Sequence, residues 1–309
     1  LESIRAAKRC LVDGGLLAML YSVPTEGGKR WLWIQDRLTG IAHAAFGSGQ
    51  VLRYYSRSSF LNLVVVARNG GGFPAELNEI LVPEPRQATS LPTDDWPFLY
   101  LKERAIPGYL LRVLPILLLI GAVPILLSLP RGRRHPHWNF LLLGAGFLMM
   151  ETSAITRLSL LFGSTWAVNS VVFLGILSMV LLANLLVQRS RRFSIHLAYA
   201  GLLCALLGNY FIGVQNLLYA SFPVKVLAAI LFAGLPIFFA GIVFSSLFRD
   251  VRGQGLRYAF GSNLLGAFLG GFCEYMGLVT GFNNLLLILI ALYLGSYLFT
   301  LMRRELRVA

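Results

Sequence analysis

Three ionisable side chains stand inside long apolar stretches of this sequence: Glu151, Arg157 and Glu274. A charge left unpaired at the centre of a bilayer costs about 2.5–3.5 kcal/mol on insertion scales. Such groups hold one another, an ion or a polar substrate. Arg157 is about six residues from the end of one apolar span, and Glu274 about six from the end of another that finishes on the same face. At 1.5 Å per residue both lie roughly 9 Å deep. The sequence predicts an Arg157–Glu274 ion pair, with Asn169 at a similar level. Glu151 is about 120° around its helix from Arg157 and needs a different partner. Glu151, Arg157, Asn169 and Glu274 are the candidate intramembrane polar site, read either as a packing device or as a substrate or ion site.

A second cluster, Asp94-Asp95-Trp96, precedes the first apolar span. Paired carboxylates can hold a cation or an amine. The plainer reading has Asp94 capping a turn and Trp96 with Tyr100 anchoring at the membrane interface. Metal chemistry has no such foundation. Cys10, Cys204 and Cys273 are far apart, His43 and His196 are isolated, and His135 and His137 share an arginine-rich loop, so no metal site is expected.

The elements that position these residues fall into two kinds. Residues 1–107 carry 12 Lys/Arg and 10 Asp/Glu; residues 108–309 carry 15 basic residues and four acids, so +11 of the net +13 sits in the second part. Hydrophobic residues make up 56% of the chain, and the mean hydropathy is +0.68. That is too apolar for a water-soluble domain of this length. The pI near 10.1 does not point to nucleic acid, because the arginines sit in short clusters between apolar spans, as membrane loops do.

Seven spans of about 20 residues are expected, near 108–129, 139–162, 166–188, 194–213, 224–247, 257–279 and 283–302. Arginines follow spans 1, 3, 5 and 7 (Arg131, Arg133, Arg134; Arg189, Arg191, Arg192; Arg249, Arg252, Arg257; Arg303, Arg304, Arg307), and none follows spans 2, 4 and 6. The positive-inside rule places the arginine face in the cytoplasm. If every span crosses, residues 1–107 then lie on the far side. Pro115, Pro124 and Arg112 leave open that span 1 does not cross. In span 6, Ser262, Gly266 and Gly270 form a small-residue stripe that admits a close neighbour and continues to Glu274. Asn184 and Asn263 are expected to make interhelical hydrogen bonds.

Within residues 1–107, Leu1–Leu11 has the apolar periodicity of an amphipathic helix, and Asp13-Gly14-Gly15 is a turn. Leu16–Tyr21 and Leu61–Ala67 read as buried strands, with a helix over Lys29–Phe46 between them. Helix, turn, strand, helix, strand matches the back half of a doubly wound sheet. Gly70-Gly71-Gly72 leads into Phe73-Pro74 and reads as a surface turn, so no strand–glycine loop–helix for a nucleotide is present.

The segment LESIRAAKRCLVDGGLLAMLYS resembles the late helix–Gly–strand region of class I S-adenosylmethionine-dependent transferases of the spermidine-synthase type. TDDWPFLYLKERAIP (Thr93–Pro107) resembles the junction between such a domain and a membrane domain in bacterial multi-spanning proteins. Phe147–Val187 and Phe260–Gly281 look like the membrane half of the same family. The resemblance implies a mostly α membrane protein, with about seven transmembrane helices (108–309) preceded by a partial α/β, Rossmann-like transferase domain (1–107). It implies a bacterial inner-membrane location and an aminopropyl- or methyltransferase-type activity in a longer protein. S-adenosylmethionine or its decarboxylated form would be the cofactor, and a polyamine or lipid-associated acceptor the partner.

The family's cofactor loop and amine-handling acid precede the segment that matches Leu1, so no catalytic residue carries over. This chain alone is expected to hold no cofactor and to be inactive without the missing N-terminal part. A transporter or channel with a regulatory α/β domain, or a non-catalytic membrane scaffold, are the alternatives.

Overall fold

The computed structural model describes residues 1–22, 25–26, 29–30, 32–47, 51–55, 61–68, 90–129, 136–162, 166–189, 194–212 and 221–308. The chain divides into two compact units, Leu1–Ala105 and Ile106–Ala309.

The first unit begins with α1 (Glu2–Cys10) and β1 (Leu16–Ser22). Gly14 takes a positive φ of 78° in the turn between them, a conformation open to glycine at little cost. β2 (Thr25–Glu26) and β3 (Lys29–Arg30) form a small antiparallel ladder. Then come α2 (Leu32–Phe46), β4 (Val51–Tyr55) and β5 (Leu61–Ala67). The main sheet has the order β1-β5-β4, and β5 is antiparallel to both neighbours. The register runs from Leu16 opposite Ala67 to Ser22 opposite Leu61, and Val51 faces Val66 on the other side.

Beside the two strands and the intervening helix that the sequence suggested, the described residues place a further strand, β4, and β5 runs antiparallel to both of its neighbours. β4 was not legible in Val-Leu-Arg-Tyr-Tyr, and only five residues separate it from β5, enough for a hairpin but far too few for a parallel crossover. β1 and β4, each antiparallel to β5, run in the same direction. They are joined through α2 as a crossover, with β5 inserted between them. Ile4, Leu11, Ala42 and Phe46 pack against Leu17, Met19, Val64 and Val66, so α1 and α2 cover one face of this sheet.

The second unit is helical: α3 (Gly108–Ser128), α4 (Trp138–Phe162), α5 (Trp166–Arg189), α6 (Ile195–Phe211), α7 (Phe222–Arg249), α8 (Gln254–Cys273), α9 (Gly277–Thr280) and α10 (Phe282–Val308). Five of these, α3, α4, α5, α7 and α10, are long and apolar enough to cross a membrane, where the sequence suggested seven spans. α6 has 17 residues. α8 is diluted by glycines and breaks into a 3-10 turn at Glu274–Met276. α3 is continuous through Pro115 and Pro124.

α4 is the hub, packed on α8, α10, α5 and α7. Its contact with α8 is backbone to backbone. A Cβ at Gly266 would lie 1.9 Å from the Leu141 carbonyl oxygen, and one at Gly270 would lie 2.1 Å from that of Ala145. Ser262 Oγ accepts from His137 N at 2.8 Å. The pairs 137 with 262, 141 with 266 and 145 with 270 rise together, so the two helices run parallel, and the Ser262–Gly266–Gly270 stripe is their interface.

Side-chain bonds fix which helix ends meet. Asn139 at the start of α4 donates to Thr300 near the end of α10 at 2.8 Å. Tyr199 near the start of α6 bonds Ser296 at 2.7 Å, and Arg249 at the end of α7 donates to the Val187 carbonyl near the end of α5 at 2.8 Å. Phe140 and Phe248 are 6.1 Å apart. The arginine-flanked helix ends thus gather at one end of the bundle. α3 runs antiparallel to α8 and finishes at that same end, where Leu129 lies against Gly261 while Gly121 lies against Phe268.

Candidate functional site

The structure separates the charged residues that the sequence reading paired. Glu274, the first residue after α8, lies beside Thr152 of α4, whose hydroxyl donates to the Leu148 and Met149 carbonyls of its own helix, each at 3.1 Å. Arg157 Nη2 donates to the Phe282 carbonyl at 2.8 Å and to Asn283 Oδ1 at 3.1 Å, both at the start of α10. No ion pair joins Arg157 to Glu274 among the described residues. The reason is azimuth. Leu141, Ala145 and Thr152 lie on one stripe of α4, which faces α8, whereas Arg157 is about 140° round from Thr152 at 3.6 residues per turn. Equal depth did not mean shared face.

Asn169, near the start of α5, is half-buried, and its Oδ1 is enclosed without a hydrogen bond among the described residues. Glu151 is half-buried. No described hydrogen bond links either of them to Arg157 or Glu274.

Arg157 instead belongs to a different polar constellation. It lines a cavity of about 30 Å³ with Ser153, Asn209 and the Phe232–Ala233 segment, walled by Leu206 and Leu289. A cavity of that volume has room for about one water, given polar partners. Ser153 Oγ is enclosed and has no hydrogen bond among the described residues. Phe232 lies in a π-helical turn, Ile230–Gly234, inside α7. Pro236, four residues on, has no N–H, so the Phe232 carbonyl lacks its α-helical donor. Asn209 Nδ2 of α6 supplies the bond at 2.6 Å. Such π turns cluster at functional sites.

Sequence reasoning missed Ser153, Asn209, Asn283 and this turn. The available signal was a lone Asn in the apolar run of α6, together with a proline inside an otherwise unbroken span.

The interfacial cluster is resolved differently from expectation. Trp96 is fully buried in the first unit, not an interfacial anchor. Its ring lies between the guanidiniums of Arg37, at 5.5 Å, and Arg104, at 5.3 Å. The turn is held by Thr93, whose Oγ1 accepts from Trp96 N at 3.1 Å, rather than by Asp94. The Asp94 backbone N–H donates to Glu2 Oε2 at 3.1 Å. Burial, and then the Glu2 carboxylate, hold the Asp94 carboxyl above the usual carboxylate range. Asp94, Asp95 and their neighbours form no cluster able to hold a metal ion among the described residues.

Arg37, on the buried side of α2, is the unforeseen residue here. It is 2% exposed. It donates to the carbonyls of Leu99 at 3.1 Å and Lys102 at 2.7 Å, to that of Leu101, and to Ser90 Oγ at 3.3 Å. Burial lowers its pKa. It sits three residues after Ile34 and four before Ile41, on the apolar stripe, which was the signal to find it. Its fork ties the segment leading toward the second unit onto α2.

No protein-family model matches this chain, and no curated protein or solved structure matches it either.

Proposed function

We propose that the chain is the membrane-bound part of a bacterial spermidine-synthase-like transferase of aminopropyl- or methyltransferase type. The observation that carries this reading is the first unit's crossover, in which α2 links the co-directional β1 and β4 around β5. It is an α/β arrangement joined in one chain to apolar helices fit to span a bilayer. S-adenosylmethionine or its decarboxylated form would be the cofactor, and a polyamine or lipid-associated acceptor the substrate. The described residues of this chain do not fit that cofactor: among them no strand leads through a glycine loop into a helix that could hold it. The reaction's machinery is assigned to the rest of the same protein. Calorimetry in detergent tests the reading. The full-length protein should bind one of the two cofactors at micromolar concentration, and the 309-residue chain should bind neither. Binding by the chain alone, or none by the full-length protein, overturns it.

A second reading, a transporter or channel-like inner-membrane protein with a regulatory α/β unit, is favoured by a different observation. α3 is an unbroken 21-residue helix whose end joins the arginine-flanked end of the bundle. With that end in the cytoplasm, Gly108 stands on the opposite side, away from a cytosolic cofactor. Labelling decides between the readings. Cysteine at Ser190 that resists a membrane-impermeant thiol reagent in intact cells supports the second reading. Ready labelling places the arginine end outside and the first unit with the cofactor.

A further inference from the structure

A groove of about 460 Å³ lies between α4, α5 and the first half of α7, in the half of the bundle away from the arginine-flanked end. Leu158, Val172 and Ile176, all buried, form its floor. At one end are Phe162 and Phe222, their rings edge to face at 6.2 Å. At the other are Met179 and Gly234, where a Cβ on the glycine would lie 3.5 Å from the methionine side chain. The π turn contributes Ile230, Ala233 and Gly234 to the wall. The side of the groove is open, since Phe222 is 71% exposed and Ile230 48%. Both stand on a helix apolar and long enough to cross a membrane, so the opening faces the bilayer.

Every described residue that lines the groove is apolar or glycine. A polar or charged occupant would find no partner there, and apolar cavities stay dry. The dimensions narrow the choice further. Gly234 is twelve residues beyond Phe222, about 18 Å along the helix at 1.5 Å per residue. One leaflet is about 15 Å deep, half of a hydrocarbon core of about 30 Å. The groove thus runs the depth of a single leaflet, the one at the arginine-free end. Its volume over that length gives a mean section of about 25 Å². That admits one file of carbon atoms, whose contacts lie at about 3.5–4.0 Å, and shuts out another helix, which is about 10–12 Å across with its side chains. A lipid tail gains nothing here by leaving water, because its alternative is other tails. What the groove offers is contact on several sides, which its lining would forfeit if left empty.

We propose that this groove is a binding site for one acyl chain of a membrane lipid, drawn from the leaflet at the arginine-free end.

The test uses the whole 309-residue chain in bilayers doped with a phosphatidylcholine that carries a diazirine midway along one chain. After irradiation, adducts are mapped by peptide mass spectrometry. Ile230 has a matched control in Ile116, which is 57% exposed and lies eight residues into α3, as Ile230 lies eight into α7. Ile230 should be labelled about threefold or more above Ile116, the preference that a handful of added carbon–carbon contacts confers. A Cβ at Gly175, within the groove, meets nothing within 4 Å, so Gly175→Phe should fill the space and bring Ile230 down to the level of Ile116. Gly208 on α6 is equally open but outside the groove, and Gly208→Phe should leave the labelling unchanged. Should Gly175→Phe fail to fold, Gly234→Leu must produce the same loss. The proposal is overturned if Ile230 and Ile116 are labelled equally, if labelling survives both groove variants, or if a second copy of the chain shields the groove from the label.

Discussion

Asn209 should be worth more than an ordinary interhelical hydrogen bond, because of a residue it does not touch through its side chain. Its amide donates at 2.6 Å to the Phe232 carbonyl, the one that residue 236 serves in a regular α-helix. Residue 236 is proline. Interhelical hydrogen bonds in membranes average about 0.6 kcal/mol, because a group that loses its partner usually finds another. Here the nearest replacement donor does not exist, and an orphaned carbonyl in an apolar setting costs about 1–3 kcal/mol. Asn209→Leu should therefore cost about 1.5 kcal/mol, the upper end of the measured membrane range. In a Pro236→Ala background the N–H returns, and the same change should cost about 0.6 kcal/mol. The coupling of about 1 kcal/mol is readable by reversible unfolding of the four proteins in mixed micelles. Equal costs in the two backgrounds, within about 0.3 kcal/mol, would refute the assignment of Asn209 as the substitute for the missing amide.

Three further outcomes follow from the described contacts. Arg37→Met should orphan several carbonyls between Leu99 and Lys102 and destabilise the first unit by about 3 kcal/mol. Arg37→Lys should restore little of it, since an ammonium cannot reproduce the planar fork; hydrogen exchange across residues 90–105 reads both. Glu274→Gln and Arg157→Met should lower stability additively, within about 0.5 kcal/mol; a double-mutant cycle in detergent reads it. Asp94→Asn should stabilise the first unit at neutral pH. A carboxyl whose folded pKa is raised contributes most below its unfolded pKa, and that contribution is lost as pH rises through the folded value. Thermal melts of the wild type should therefore fall with pH just above the usual carboxylate range, and the variant should lack that fall.

What the sequence disclosed and what it hid divide along physical lines. The Ser262–Gly266–Gly270 stripe was legible because only small residues permit the backbone approach it makes on α4. The Arg157–Glu274 pair was misread because depth is one coordinate of a helix and rotation is the other. α1 declared itself by apolar periodicity, and the strands at Leu16 and Leu61 as short apolar runs. The direction of β5 did not, since a strand buried on both faces reads alike whichever way it runs. It follows from the hairpin with β4, whose polar and aromatic residues carried no clear alternation. The π turn needed two helices at once: Pro236 is local, but the side chain that answers it is 27 residues earlier in the sequence.

The seam between α4 and α8 has a mechanical consequence. Packed helices slide past one another by letting interleaved side chains change rotamer. At Gly266 and Gly270 no side chains lie between the two backbones, so there is nothing to change and no intermediate step to rest on. The pair is a single strut. Any motion of the bundle must carry α4 and α8 together, and the compliance must come from their neighbours. α7 is the neighbour built for it: the helical ladder is already loosened at Ile230–Gly234, and its free carbonyl is held by one amide that can let go.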